Sequence, residues 1–175
     1  IAKVLYFGKK KIFLIFIIMN INDEGIGGST STQLGDNACA FSTETVSIGQ
    51  NSIAGKDIDS NSNPFSIAIG SNSNSSGRSS ISLGYLSKSS SNSAISIGDE
   101  ANSSNNTSFA MGYKTVASGK HSIAIGDQAC SNYQTSFALG YHSKIGNKHS
   151  VAIGNQANAD GLTSFSMGYH TNAKG

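Results

Sequence analysis

The chain has 175 residues, enough for one ordinary domain, but Ser, Asn and Gly dominate it, Pro64 is its one proline, Trp is absent and only 13% of residues are charged. A formal net charge of +2, with Lys and Arg scattered, excludes the clustered basic footprint of a nucleic-acid binder. Disorder is excluded as well, because the apolar residues recur at a fixed period, which a disordered chain does not show.

At the start of the chain, Lys9, Lys10 and Lys11 precede an apolar run over residues 12–19. A charged region followed by a short hydrophobic one is the order of a secretory signal, and the run is far shorter than the ~20 residues that cross a bilayer. Residues 1–19 are read as a signal peptide or, since the chain opens on Ile1, as a mis-assigned start ahead of Met19. Residues 20–29, with Gly25, Gly27 and Gly28, read as a flexible linker. Their GIGGST run lacks the Lys and the following helix of a phosphate loop.

Repeats occupy the rest, residues 30–175. Two pentads, STQLG ending at Gly35 and TVSIG ending at Gly49, share one phase. The next step is 21 residues, so half a coil is inserted near 55–64, a candidate protruding loop. Beyond it Gly70, Gly84, Gly98, Gly112, Gly126, Gly140, Gly154 and Gly168 stand 14 apart without exception, each closing a pentad such as SIAIG, SFALG or SVAIG. A second period of 28 overlies the first, because Tyr85, Tyr113, Tyr141 and Tyr169 follow every other glycine.

Within each pentad large apolar residues lie three and one before the glycine, as Ile123 and Ile125 do, and small ones lie four and two before it. A period of two is the signature of a strand, and no helical stripe competes with it. Small residues return three and five after the glycine, as with Ala129 and Ser131, Ile145 being the one bulky departure. Seven after it, Gly77, Asn105, Gly119, Asn147, Gly161 and Gly175 are suited to positive φ in a second turn. Fourteen residues thus make two short strands and two tight turns. The expected fold is an all-β solenoid, a flat two-sided roll rising ~4.8 Å per coil, with the coil glycines at turns or close backbone approaches.

The large residues of the first strand and the small residues of the second are expected to face inward. That leaves a smooth, uncharged outer face of Ser122, Ala124, Ser136, Ala138, Ser150 and Ala152. Such a face suits close approach of other subunits, supplying burial that a thin roll lacks, or contact with a flat lattice such as ice.

The SIAIG, SVAIG and SFALG pentads at 14-residue spacing resemble the head repeats of YadA-like trimeric autotransporter adhesins, over about residues 30–175. The resemblance implies a left-handed parallel β-roll and a homotrimer, with the six Ser and Ala residues above as the expected trimer interface. It also implies display on a Gram-negative outer membrane, through a C-terminal anchor not present in this sequence, and attachment to a host extracellular-matrix protein or cell-surface glycan. A collagen-binding motif of that family has its nearest match at 149–157. There His149 stands for the leading Asn and Ala157 for the closing Ser, so collagen binding is not carried over. A phage or virus fibre module and an ice-binding solenoid are the alternatives, the latter weakened by the sparse Thr.

No catalytic, cofactor or metal site is expected. His121 and His149 share one phase and His142 and His170 another, each pair about 10 Å apart, too far for one metal ion. Ser is abundant, but nothing pairs it with a His and an acid. Cys39 and Cys130 lie several coils apart and cannot bridge within one chain. Tyr85, Tyr113, Tyr141 and Tyr169, with Asp99 and Asp127 between them, form a ladder along one edge and are the candidate ligand contacts.

Overall fold

The computed structural model describes residues 31–42, 44–55 and 65–174. The expected signal (1–19), the linker (20–29) and residues 56–64 of the expected loop lie outside the described residues. The described part is all-β, a solenoid of twenty strands in two ten-stranded parallel sheets. Successive strands alternate between the sheets, so one coil contributes one strand to each. The first sheet consists of triplets such as Phe109–Met111 and Ile123–Ile125, the second of pairs such as Val116–Ala117 and Cys130–Ser131.

Register follows the glycine period. Phe109 pairs with Ile123, and Ile123 with Phe137, each 14 residues on. At one step the offset is 21, where Val46 pairs with Ile67 and Ile53 with Asn74. The stack keeps its register across this step in both sheets, so the extra half-coil enters between Ala54 and Ile67 without interrupting either ladder.

The alternation within the triplets is present, but its sign is opposite to the expected one. Ile123 and Ile125 are half-exposed on the outer face, while Ser122 and Ala124 are fully enclosed. The second strand faces as expected, with Ala129 and Ser131 buried. Both sheets therefore line the interior with small residues, and the core is a column of Ala, Ser and Thr. Ile145 is the bulky exception, 1% exposed inside that column.

The reason is the thinness of the roll. The hydroxyls of Ser75 and Ser80 meet at 2.6 Å across the interior, those of Ser82 and Ser87 at 2.6 Å and those of Ser131 and Ser136 at 2.7 Å. Two hydroxymethyl side chains already fill the gap, so a branched residue on both walls has no room. Enlarging the filling should be costly. Ala124→Leu is expected to destabilise the chain by about 1–3 kcal/mol through overpacking, read from the urea midpoint at unchanged slope. A neutral result would mean that the interior is looser than these contacts.

Tight turns hold the walls together. Each regular 14-residue coil has two non-glycine residues of left-handed backbone, one two places after the glycine (Lys114, φ 51; Gln128, φ 55) and one five before the next (Thr107, φ 55; His121, φ 58). The expectation of positive φ seven places after the glycine is thus corrected, since Gly77, Asn105, Gly119, Asn147 and Gly161 are not among the positive-φ residues and Gly175 lies outside the described ones. Those residues instead open the turn. The Gly119 carbonyl accepts both the Ser122 N–H (3.2 Å) and the Ser122 Oγ (2.7 Å), which places His121 third of four, where a type II turn needs φ > 0.

This geometry also explains the abundance of serine. An enclosed hydroxyl is stabilised by an acceptor, and in most coils the carbonyl three residues earlier is within reach, the buried Ser73 hydroxyl being an exception without a partner. Ser80 donates to Gly77 at 2.7 Å, Ser108 to Asn105 at 2.6 Å and Ser52 to Gly49 at 2.9 Å. Left-handed backbone costs a non-glycine residue about 1–2 kcal/mol, and the stack offsets it by pairing those residues' own N–H groups along the coil axis. Lys114 donates to the Asp99 carbonyl at 2.9 Å, Gln128 to Tyr113 at 2.8 Å and His142 to Asp127 at 2.9 Å.

Candidate functional site

Two surfaces of this roll differ from a plain solvated face. The first is the outside of the triplet sheet. Residues three before the glycine (Phe109, Ile123, Phe137, Val151, Phe165) form one column, and residues one before it (Met111, Ile125, Leu139, Ile153, Met167) form a second beside it. None is buried, and Met111 is 37% exposed. The two columns continue through all ten triplets, broken only by Thr32, and so run ~43 Å along the axis. A contiguous apolar stripe of that length is the mark of an interaction surface rather than of a solvated face.

The expected interface is corrected by the same observation. Ser122, Ala124, Ser136, Ala138, Ser150 and Ala152 are at most 2% exposed within one chain. No other chain can dock on side chains already enclosed between the two sheets, so an interface on the triplet sheet uses the large residues of the alternate positions. The flat small-residue face that suited an ice lattice is enclosed with them. Pattern alone gives two faces to a strand and does not say which is inside. The available signal was that small residues occupy equivalent positions in both half-coils, four and two before the glycine and three and five after it.

The second surface is the turn edge that follows the triplets. Tyr85, Tyr113, Tyr141 and Tyr169 are 51%, 42%, 45% and 72% exposed, and they lie two coils apart in one line. Asp99, Asp127 and Asn155 hold the same place in the coils between them. The residue after each tyrosine braces three of the four rings. Lys114 Nζ lies 5.0 Å from the Tyr113 ring centroid, and the His142 and His170 rings lie 4.1 Å from those of Tyr141 and Tyr169. A hydrogen bond to Tyr113, and then the Glu100 carboxylate, raise the Lys114 pKa above its ordinary value; Lys114 Nζ lies 3.6 Å from Glu100 Oε1. Nearer the start of the stack the same edge carries an amide ladder, Asn37 donating to Asn51 at 3.1 Å and Asn51 to Asn72 at 3.2 Å.

The remaining reactive groups do not assemble. Cys39 and Cys130 are free thiols in different coils, and burial pushes that of Cys130 up against the opposing effect of Lys144. His121 and His149 are left-handed turn residues on the edge opposite His142 and His170. Among the described residues no three His, Cys, Asp or Glu side chains gather as a metal site.

Comparison with known proteins adds one match. The model of the YadA head domain repeat (2 copies) matches residues 62–87, 75–101, 89–115, 103–129 and 147–171, which together cover more than half of the chain. A comparison with curated protein sequences finds no match.

Proposed function

Because the chain belongs to the family of YadA head domain repeats, we propose that it is the head of a trimeric surface adhesin that holds a host extracellular-matrix protein or cell-surface glycan by many weak contacts. The family is one of trimeric autotransporter adhesins displayed on the bacterial surface, and its heads, like β-solenoids at large, are typically not enzymes. For this chain the reading places the head outside a Gram-negative outer membrane, as a virulence factor anchored through another part of the protein.

The observation that carries the proposal is the double apolar column on the triplet sheet. A thin roll buries little beyond Ala and Ser of its own, and three rolls turning this face to a common axis would cover the exposed Ile, Phe, Leu and Met. The turn edges and the outer side of the pair sheet then remain for ligands. Three parallel copies raise avidity about 10²-fold or more without a tight single site.

The test is to display the chain on beads and measure retention on matrix proteins and epithelial cells against an interface-broken Ile125→Lys control. Wild-type beads should be retained at least tenfold better than the control. Equal retention would rule out multivalent attachment, and no retention on any host surface would end the adhesin reading.

A further inference from the structure

Resting on that adhesin reading, the geometry points to the tyrosine-bearing turn edge as a track for an extended, uncharged β-linked glycan. Tyr85, Tyr113, Tyr141 and Tyr169 recur every second coil, so neighbouring rings are ~9.6 Å apart and the four span ~29 Å. In the coils between, ~4.8 Å from each ring along the axis, stand the acceptors Asp99, Asp127 and Asn155. The surface thus alternates a flat apolar plate with a hydrogen-bond acceptor, one of each per pair of coils.

A β-1,4-linked glycan carries the complementary alternation. Successive sugars turn over, so one presents a ring face of C–H groups while the next presents hydroxyl edges. An aromatic plate takes the first, and a carboxylate or amide oxygen accepts hydrogen bonds from the second. Other extended polymers fit less well. A peptide β-strand repeats a given face every ~6.8 Å, out of step with the tyrosines. A polyproline II helix repeats every ~9.3 Å, close to their step, but its threefold symmetry puts no opposite face at the half-step where Asp99 and Asp127 stand. Those two carboxylates also oppose an anionic polymer. The rings are held ready, Tyr113 by Lys114, Tyr141 by His142 and Tyr169 by His170, so little ordering remains to be done on binding.

The experiment is calorimetric titration of the full chain with the β-1,4-linked hexasaccharide of N-acetylglucosamine, its disaccharide, an α-1,4-linked glucose hexasaccharide and a proline-rich peptide. Two variants accompany it: Tyr113→Ala/Tyr141→Ala, and Tyr133→Ala, whose exposed ring lies on the opposite turn edge. The β-linked hexasaccharide should bind at least tenfold tighter than the disaccharide, since it reaches several rings. The double variant should weaken it about tenfold or more and Tyr133→Ala should leave it unchanged. The inference is overturned by no hexasaccharide binding, by equal binding of the α-linked chain, by preference for the peptide, or by affinity that survives loss of both tyrosines. Bead retention of the wild type separates the two readings. Wild-type beads that are retained on cells but bind no glycan discard the glycan track and keep the adhesin, whereas wild-type beads that bind the glycan but no host surface discard the adhesin alone.

Discussion

Gly112→Val is expected to divide the stack, lowering stability by more than about 4 kcal/mol, a loss that only a few mechanisms produce. Two act together here. Gly112 has φ +131°, a region open to glycine and strained for any residue with a Cβ, the more so for a branched one. A Cβ at this position would also sit 2.0 Å from the carbonyl oxygen of Gly126 in the next coil. That oxygen belongs to rigid backbone, and the same contact recurs from Gly70 to Gly154, so no side chain can move aside to relieve it. Each coil touches only its neighbours, so the break should separate two shorter stacks that unfold independently. Urea unfolding followed by circular dichroism should then show a lower midpoint and a broadened or split transition. Gly119→Asn is the milder companion: its Cβ would meet the Tyr133 carbonyl oxygen of the next coil at the same 2.0 Å, but its φ is not left-handed, and Ser91, Asn105 and Tyr133 at that place in other coils show that this turn shifts to admit a side chain. A Gly112→Val chain as stable as Gly119→Asn would refute the account.

That contrast shows what the sequence makes legible. A glycine that never varies over eight coils points to backbone crowding, and the alternation before it points to a strand. Together they lead to a 14-residue two-strand coil, and the 21-residue step leads to an insertion that keeps the phase. The direction of the strand faces was not legible in this way. The rule that large apolar residues go inside presumes an interior wide enough to hold them. Here two left-handed turn residues seven positions apart, such as Lys114 and His121, bring the sheets to hydroxyl contact, and the large residues go outside. The place of those turn residues was hidden for a related reason. Leu86, Thr107, Thr135 and Thr163 are not residue types that announce positive φ, and their conformation is imposed by the ladder on either side. The tyrosine edge was visible as a period, while the bracing of its rings by Lys114, His142 and His170 required coordinates.

Reversal of the faces changes which substitution should disassemble the protein. Ile125 lies on the outer side of its triplet, half-exposed, with Met111 and Leu139 as its partners in the adjacent coils. Ile125→Lys leaves the interior of one chain untouched, so its circular dichroism should match that of the wild type. In a trimer packed on this face it would bring three like charges toward one axis with no counter-charge among the two apolar columns. Leaving a charge buried and unpaired costs about 3–5 kcal/mol, and three such costs fall on a single assembly. Light scattering should therefore report three subunits for the wild type and one for Ile125→Lys at the same concentration. Ala124→Lys should behave differently. Its side chain points into the enclosed column, so the coil itself must open, and loss of β-structure should accompany loss of assembly. A wild-type chain that stays monomeric, or an Ile125→Lys chain that remains a trimer, would remove this face as the interface. An Ala124→Lys chain that keeps its β-structure while losing only assembly would restore the small-residue face in its place.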